Sequence, residues 1–204
     1  MRKRFCALMM ILALSLSACE STGGYEAEKL LQKVRGSYLE MLSCMGKGEI
    51  VADYGQRVYH FSIDFSWEKD GETVLCLTAP ENVAGATARI KNGETALEFD
   101  GVMIETGPLN EDGLTPIDVI PALLHSIQEG YISECVQEEQ GEDHTLHMIC
   151  RDPDKTPGNG IETQMWFDPE SFSLLCGEIS VDGVTIIRCQ FSEFSITKAL
   201  SEEE

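Results

Sequence analysis

From Arg57 to Trp67, bulky apolar residues occupy every second position. Tyr59, Phe61, Ile63, Phe65 and Trp67 point one way, while Val58, His60, Ser62, Asp64 and Ser66 point the other. A side-chain period of two belongs to a β-strand, and five large residues on one face demand a broad apolar partner surface. The alternation does not stop there. Thr73–Thr78 is apolar on both faces and ends at Pro80, and Thr87–Lys91, Glu94–Phe99 and Val102–Glu105 follow as short strands. Asn92-Gly93 and Asp100-Gly101 join them, dipeptides whose tolerance of positive φ suits tight hairpins. Strands resume at Ile132–Glu138, His144–Arg151, Glu162–Asp168, Leu174–Val181 and Thr185–Thr197, with Asp182-Gly183 as a further hairpin and Asp152–Gly160 as the longest loop.

Two segments depart from this period. From Glu26, apolar residues fall at Leu30, Leu31, Val34, Tyr38, Met41, Leu42 and Met45, the spacing of one helix face, and Gly46 ends the run. Thr115-Pro116-Ile117-Asp118 then opens a second helix, with Ile117, Ile120, Leu123, Leu124 and Ile127 as its stripe and Gly130 as its stop. About eleven strands are too much sheet for two helices to cover as a flat layer. The fold class expected is therefore mainly β with helices (α+β), a curved antiparallel sheet forming an incomplete half-barrel lidded by two helices. The aromatic face of Tyr59–Trp67 would look inward. The Met and aromatic content of the first helix serves either a packed core or a ligand groove.

The N-terminus addresses the chain outside the cytoplasm. Arg2, Lys3 and Arg4 precede an uncharged run, Phe5–Leu16, shorter than the roughly 20 residues that span a bilayer, so residues 1–18 read as a signal peptide. Leu16-Ser17-Ala18-Cys19 resembles the bacterial lipobox, which implies lipidation of Cys19 and anchoring to the cell membrane. Residues 19–24 would be a lipidated spacer, 25–200 one domain and 201–204 an acidic tail. Removing the signal takes away three basic residues and leaves 12 basic against 35 acidic ones, a charge of −23. Such a surface repels phosphate backbones, and nucleic acid is not expected as a partner.

The eight cysteines include Cys6 in the signal and Cys19 at the anchor. Cys44, Cys76, Cys135, Cys150, Cys176 and Cys189 remain, an even set compatible with buried thiols, with disulfides or with a metal site. No motif signals an enzyme or a cofactor. Gly46-Lys47-Gly48 lacks the rest of a P-loop, and neither G-x-S-x-G nor H-E-x-x-H occurs. His144 and His147, three apart on a strand, face opposite ways and read as solvated or turn-adjacent side chains, not as ligands, and Asp152, Asp154 and Asn159 lack calcium-loop spacing.

The order of helix, hairpins, an inserted T-P-x-D-x-x-P-x-L-L helix and further hairpins resembles the outer-membrane lipoprotein carrier (LolA/LolB-like) family. Leu77–Gly85 (LTAPENVAG) and Trp166–Leu174 (WFDPESFSL) are similar to segments where that family's strands turn. The P-E-N-V-A-G segment is nearest to lipid-anchored relatives from bacteria without an outer membrane, among them a spore-germination lipoprotein that binds a cell-wall amidase. What the resemblance implies is a hydrophobic concave face that takes acyl chains or an apolar partner. Tyr38, Met41, Tyr59, Phe61, Ile63, Phe65, Trp67, Leu124 and Ile127 are the residues expected to line it. Two functions stay open: a carrier of lipid or lipidated peptide, and an envelope scaffold that binds another protein.

Overall fold

The computed structural model describes residues 22–105, 115–140 and 143–199. Helix α1 (Thr22–Leu39) leads into β1 (Met41–Asp53), β2 (Val58–Glu68), β3 (Thr73–Ala79), β4 (Thr87–Lys91), β5 (Glu94–Phe99) and β6 (Val102–Glu105). Helix α2 (Val119–Glu129) precedes β7 (Ile132–Gln140), β8 (Asp143–Arg151), β9 (Ile161–Phe167), β10 (Leu174–Val181) and β11 (Val184–Lys198). All eleven strands form one antiparallel sheet in the order β6-β5-β4-β3-β2-β1-β11-β10-β9-β8-β7. The sheet does not close: it is a half-barrel with its helices on the concave face.

Its centre is a join between two meanders. Met41 on β1 lies opposite Lys198 on β11, and Ile50 opposite Cys189, so strands near the two ends of the domain hold the halves together. Their spacing puts Met41, Leu42 and Met45 on the first helix, but all three belong to β1 and the helix stops at Leu39. The reason is a register slip between Met41 and Ser43, which sets Met41 and Cys44 on the same buried side. A bulge at that point converts a period of two into a step of three, which imitates helical spacing. The helix also begins earlier than expected, taking in Thr22–Gly24.

Gly46, expected to end that helix, instead lies inside β1, between Phe65 on β2 and Phe194 on β11. A Cβ there would run into the Glu193 carbonyl and the Phe65 ring. Without it, Phe65 packs across the strand against Phe191 and Phe194, with ring centroids 5.6 and 5.7 Å away. Gly177 on β10 performs the same service for α2, since a Cβ would overlap the Leu123 methyls.

Both helices sit over the second meander. One face of α1, comprising Ala27, Leu31, Val34 and Tyr38, is buried against β7 and β8. Helix α2 buries Val119, Ile120, Leu123, Leu124 and Ile127 against β9 and α1. Arg35 on α1 donates to the Gln128 and Gly130 carbonyls at 2.9 and 3.3 Å, placing a cation at the negative end of α2. Gln128 returns the tie, donating from Nε2 to the Tyr38 carbonyl at 2.9 Å. At its other end α2 begins at Val119, after a turn in which the Thr115 hydroxyl donates to the Asp118 carboxylate.

Candidate functional site

Register across the sheet sorts the inward side chains into rows. One row runs Phe194, Gly46, Phe65, Leu75, Ala88, Leu97, Ile104 from β11 to β6. Exposure climbs along it, from buried Phe65, Leu75 and Ala88, through half-buried Leu97, to Ile104 at 58%. In β5 and β6, Leu97 and Phe99 pair with Ile104 and Val102, and Phe99 (48% exposed) and Val102 (59%) also meet solvent. The physical cause is helix placement. Because α1 and α2 lie over β7, β8 and β9, neither roofs the concave side of β4–β6.

A second open margin lies at the β1–β2 turn. Tyr54, Tyr59 and Phe61 form an aromatic ladder, Tyr54 edge-on to Tyr59 and Tyr59 stacked on Phe61, each step 6.2 Å between centroids. Tyr59 is 39% exposed and Phe61 half-buried. Burial, then the neighbouring Tyr59 and Asp118, push the Tyr54 hydroxyl above its ordinary pKa. The ladder on β2 and the β5–β6 surface are thus two open apolar stretches on the concave side of the first meander, with β3 and β4 between them.

The nine residues expected to line the cavity share this concave side but not its openness. Tyr38, Met41, Ile63, Phe65, Leu124 and Ile127 are buried among the chain's own side chains. Tyr38 donates from its hydroxyl to the Phe172 carbonyl at 3.1 Å and meets Phe167 edge-on at 5.5 Å. Desolvation raises its pKa well above the ordinary tyrosine value. Trp67 packs half-buried against the same core, leaving Tyr59, Phe61 and Trp67 as the members with solvent access. Leu97, Phe99, Val102 and Ile104 are the open residues that pattern reading did not single out. Their alternation across Asp100-Gly101 marks a hairpin, but exposure of one face follows from where the helices land. Cys19 lies outside the described residues.

The six described cysteines are free. Burial pushes the Cys44 thiol up to about 12 and Cys135 and Cys150 to about 11, and Cys189 higher still, so these sulfurs stay protonated and non-nucleophilic near neutral pH. Cys135 and Cys150 act as weak donors instead, to the Ala27 carbonyl of α1 at 3.8 Å and the Ser126 carbonyl of α2 at 3.4 Å. Among the described residues, no group of three or more His, Cys, Asp or Glu side chains is placed to hold a metal ion. His147, expected to be solvated, is instead enclosed: its side chain is 12% exposed and bonded at both ring nitrogens.

The chain is an open half-barrel of eleven described strands with two helices on its concave side. Among solved structures it is similar to the LolA superfamily protein NE2245 from Nitrosomonas europaea, at 11% identity over 84% of this chain and 94% of that one, with a TM-score of 0.41. It is similar also to LprF from Mycobacterium bovis (13% identity, 89% and 98% covered, TM-score 0.46). A third likeness is to a chain in the structure of the CwlD amidase from Clostridioides difficile in complex with the GerS lipoprotein (9%, 87% and 95%, 0.38). No protein-family model matches the chain, and no curated protein matches it. Among the described residues, no helix is long and apolar enough to cross a membrane.

Proposed function

We propose that this chain is a lipid-anchored, non-catalytic protein of the cell envelope that holds a lipid tail or other apolar ligand against the concave face of its first meander. One observation carries the reading: on the concave side of the first meander, Tyr59 and Phe61 on β2 and Leu97, Phe99, Val102 and Ile104 on β5 and β6 keep apolar surface open to solvent. Exposed apolar surface of this extent marks a binding region. Covering eight methylenes of an acyl chain is worth about 6 kcal/mol at ~0.8 kcal/mol each before the costs of association, enough for weak to moderate affinity. Cys19 supplies the anchor, and the chain works where its lipid holds it.

The test is native mass spectrometry of the purified chain together with titration by a fluorescent fatty-acid probe. Retained lipid or saturable probe binding is expected, weakened roughly tenfold or more by Phe99→Glu or Ile104→Glu in protein of unchanged circular dichroism. No retained lipid and no probe binding would reject the reading.

A second reading, a scaffold for another envelope protein, draws on β6. All four of its residues are exposed, and among the described residues its outer edge pairs with no other strand. Such an edge accepts a strand from a partner through main-chain hydrogen bonds. A Met103→Pro variant that keeps probe binding but loses a protein captured from envelope extracts would favour the scaffold.

A further inference from the structure

The opposite, convex face of β8–β11 carries a groove of about 820 Å³, within the ~300–1,000 Å³ of small-ligand sites. Its floor is a cross-strand row. Trp166 on β9 lies opposite His147 on β8 and Cys176 on β10, and Cys176 lies opposite Gln190 on β11. A register slip between Leu174 and Cys176 brings Leu175 into the lining beside them.

The indole is fixed before any ligand arrives. Its Nε1 donates to Glu138 at 3.1 Å, and the His147 ring stacks on it, 4.3 Å between centroids and 12° between planes. His147 is itself held by the other Glu138 oxygen at 2.7 Å and by Gln164 at 3.1 Å. Both oxygens of Glu138 are thereby engaged in holding the platform. A rigid, half-buried aromatic surface loses little entropy on binding.

The rim around this platform mixes donors with acceptors. Arg188, 59% exposed at its side chain, is steadied by Glu178 at 2.6 Å and contributes N–H groups. Gln190 and Thr145 offer both functions, and Asp168 and Glu170 accept. Three hydrogen bonds from Ser171 and Glu170 to Oδ1 of Asp168 fix that carboxylate at the edge.

We propose that this groove binds a neutral saccharide. A pyranose ring has an apolar C–H face, which suits the indole, and a belt of hydroxyls that each donate and accept, which suits the mixed rim. Phosphate-bearing ligands meet a chain of net charge −20 and a rim with one guanidinium. A cationic ligand would meet the Arg188 guanidinium across the groove from Asp168 and Glu170, and it is the competing occupant in the test below. The site is independent of the concave apolar surface, being on the other side of the sheet.

The full chain carrying Trp67→Phe, in which Trp166 is the only indole, is titrated with chitotriose and with maltotriose while emission and heat are recorded. A saturable change with half-saturation at about 1 mM or below is expected for at least one sugar. Arg188→Ala and Gln190→Ala, both at exposed positions, should weaken it roughly tenfold without altering circular dichroism. Trp166→Phe serves as a second platform variant and should weaken the heat signal in the same direction. The proposal is overturned if neither sugar binds, if binding survives all three substitutions unchanged, or if an arginine-rich peptide binds the groove while both sugars fail.

Discussion

Gly46 of β1 lies directly between Phe65 and Phe194 in the cross-strand row, and the absence of a side chain there lets those two rings meet at 5.7 Å over the strand. Adding a methyl group in Gly46→Ala would press on the Glu193 backbone as well as on the Phe65 ring, and backbone cannot swing aside. We expect a loss of about 1–3 kcal/mol, the usual cost of overpacking. Urea unfolding of the two proteins measures it, and equal midpoints would show that the strand has room to shift.

Phe65 and Tyr59 stand on the same face of β2, one buried and one at 39% exposure. Phe65→Ala should therefore cost about 3–5 kcal/mol as a core truncation. Tyr59→Ala should cost about 1 kcal/mol or less, because the site is largely hydrated already. If the two variants unfold alike, the division of this face into packed and open parts is wrong.

Thiol ionisation sets an alkaline limit. The Cys44 thiol, held near 12 in the fold by desolvation against an ordinary value of 9.0, is neutral in both states below 9. Its contribution is complete there and is lost as pH rises from 9 towards 12, where the unfolded chain releases the proton and the folded one retains it. Cys135 and Cys150 act in the same sense towards about 11. Urea midpoints should thus fall as pH rises from about 9 to about 11, and fall less in Cys44→Ala. A flat profile, or the same slope in the variant, would contradict this.

Cys19→Ala should leave an unprocessed precursor that washes from membranes more readily than the parent chain. Mass analysis of the N-terminal peptide decides the matter. A parent chain whose Cys19 carries no lipid, or whose cleavage occurs elsewhere, would remove the anchor from the proposed function.

Much of this architecture can be read from period and turn chemistry. Leu174–Val181 and the hairpins at Asn92-Gly93, Asp100-Gly101 and Asp182-Gly183 fall where alternation and positive-φ residues put them. Of the central strand β1 only the part after Gly48 is legible as sheet, because the slip at Met41–Ser43 gives Met41 and Cys44 a helix-like step and Gly46 the look of a stop signal. The inward direction of Tyr59, Phe61, Ile63, Phe65 and Trp67 was legible, and their division into core and open surface was not. That division depends on α1 and α2 settling on β7–β9, through long-range contacts such as Cys135 of β7 to the Ala27 carbonyl of α1. His147 was misjudged for a similar reason. Its partners Glu138 and Gln164 come from two other strands.

The pairing of β1 with β11 also bears on how the molecule comes into being. Two neighbouring strands at the middle of the sheet are separated by up to 157 positions along the chain, Met41 from Lys198, so the seam forms by a large loop closure and slowly. Each meander can gather its own hairpins early, but neither half has its neighbour until the last strand has emerged from the ribosome. A nascent chain therefore remains threadable almost to its end. A premature stop before Val184 would not trim an outer strand; it would leave two unconnected sheets with their central edges bare.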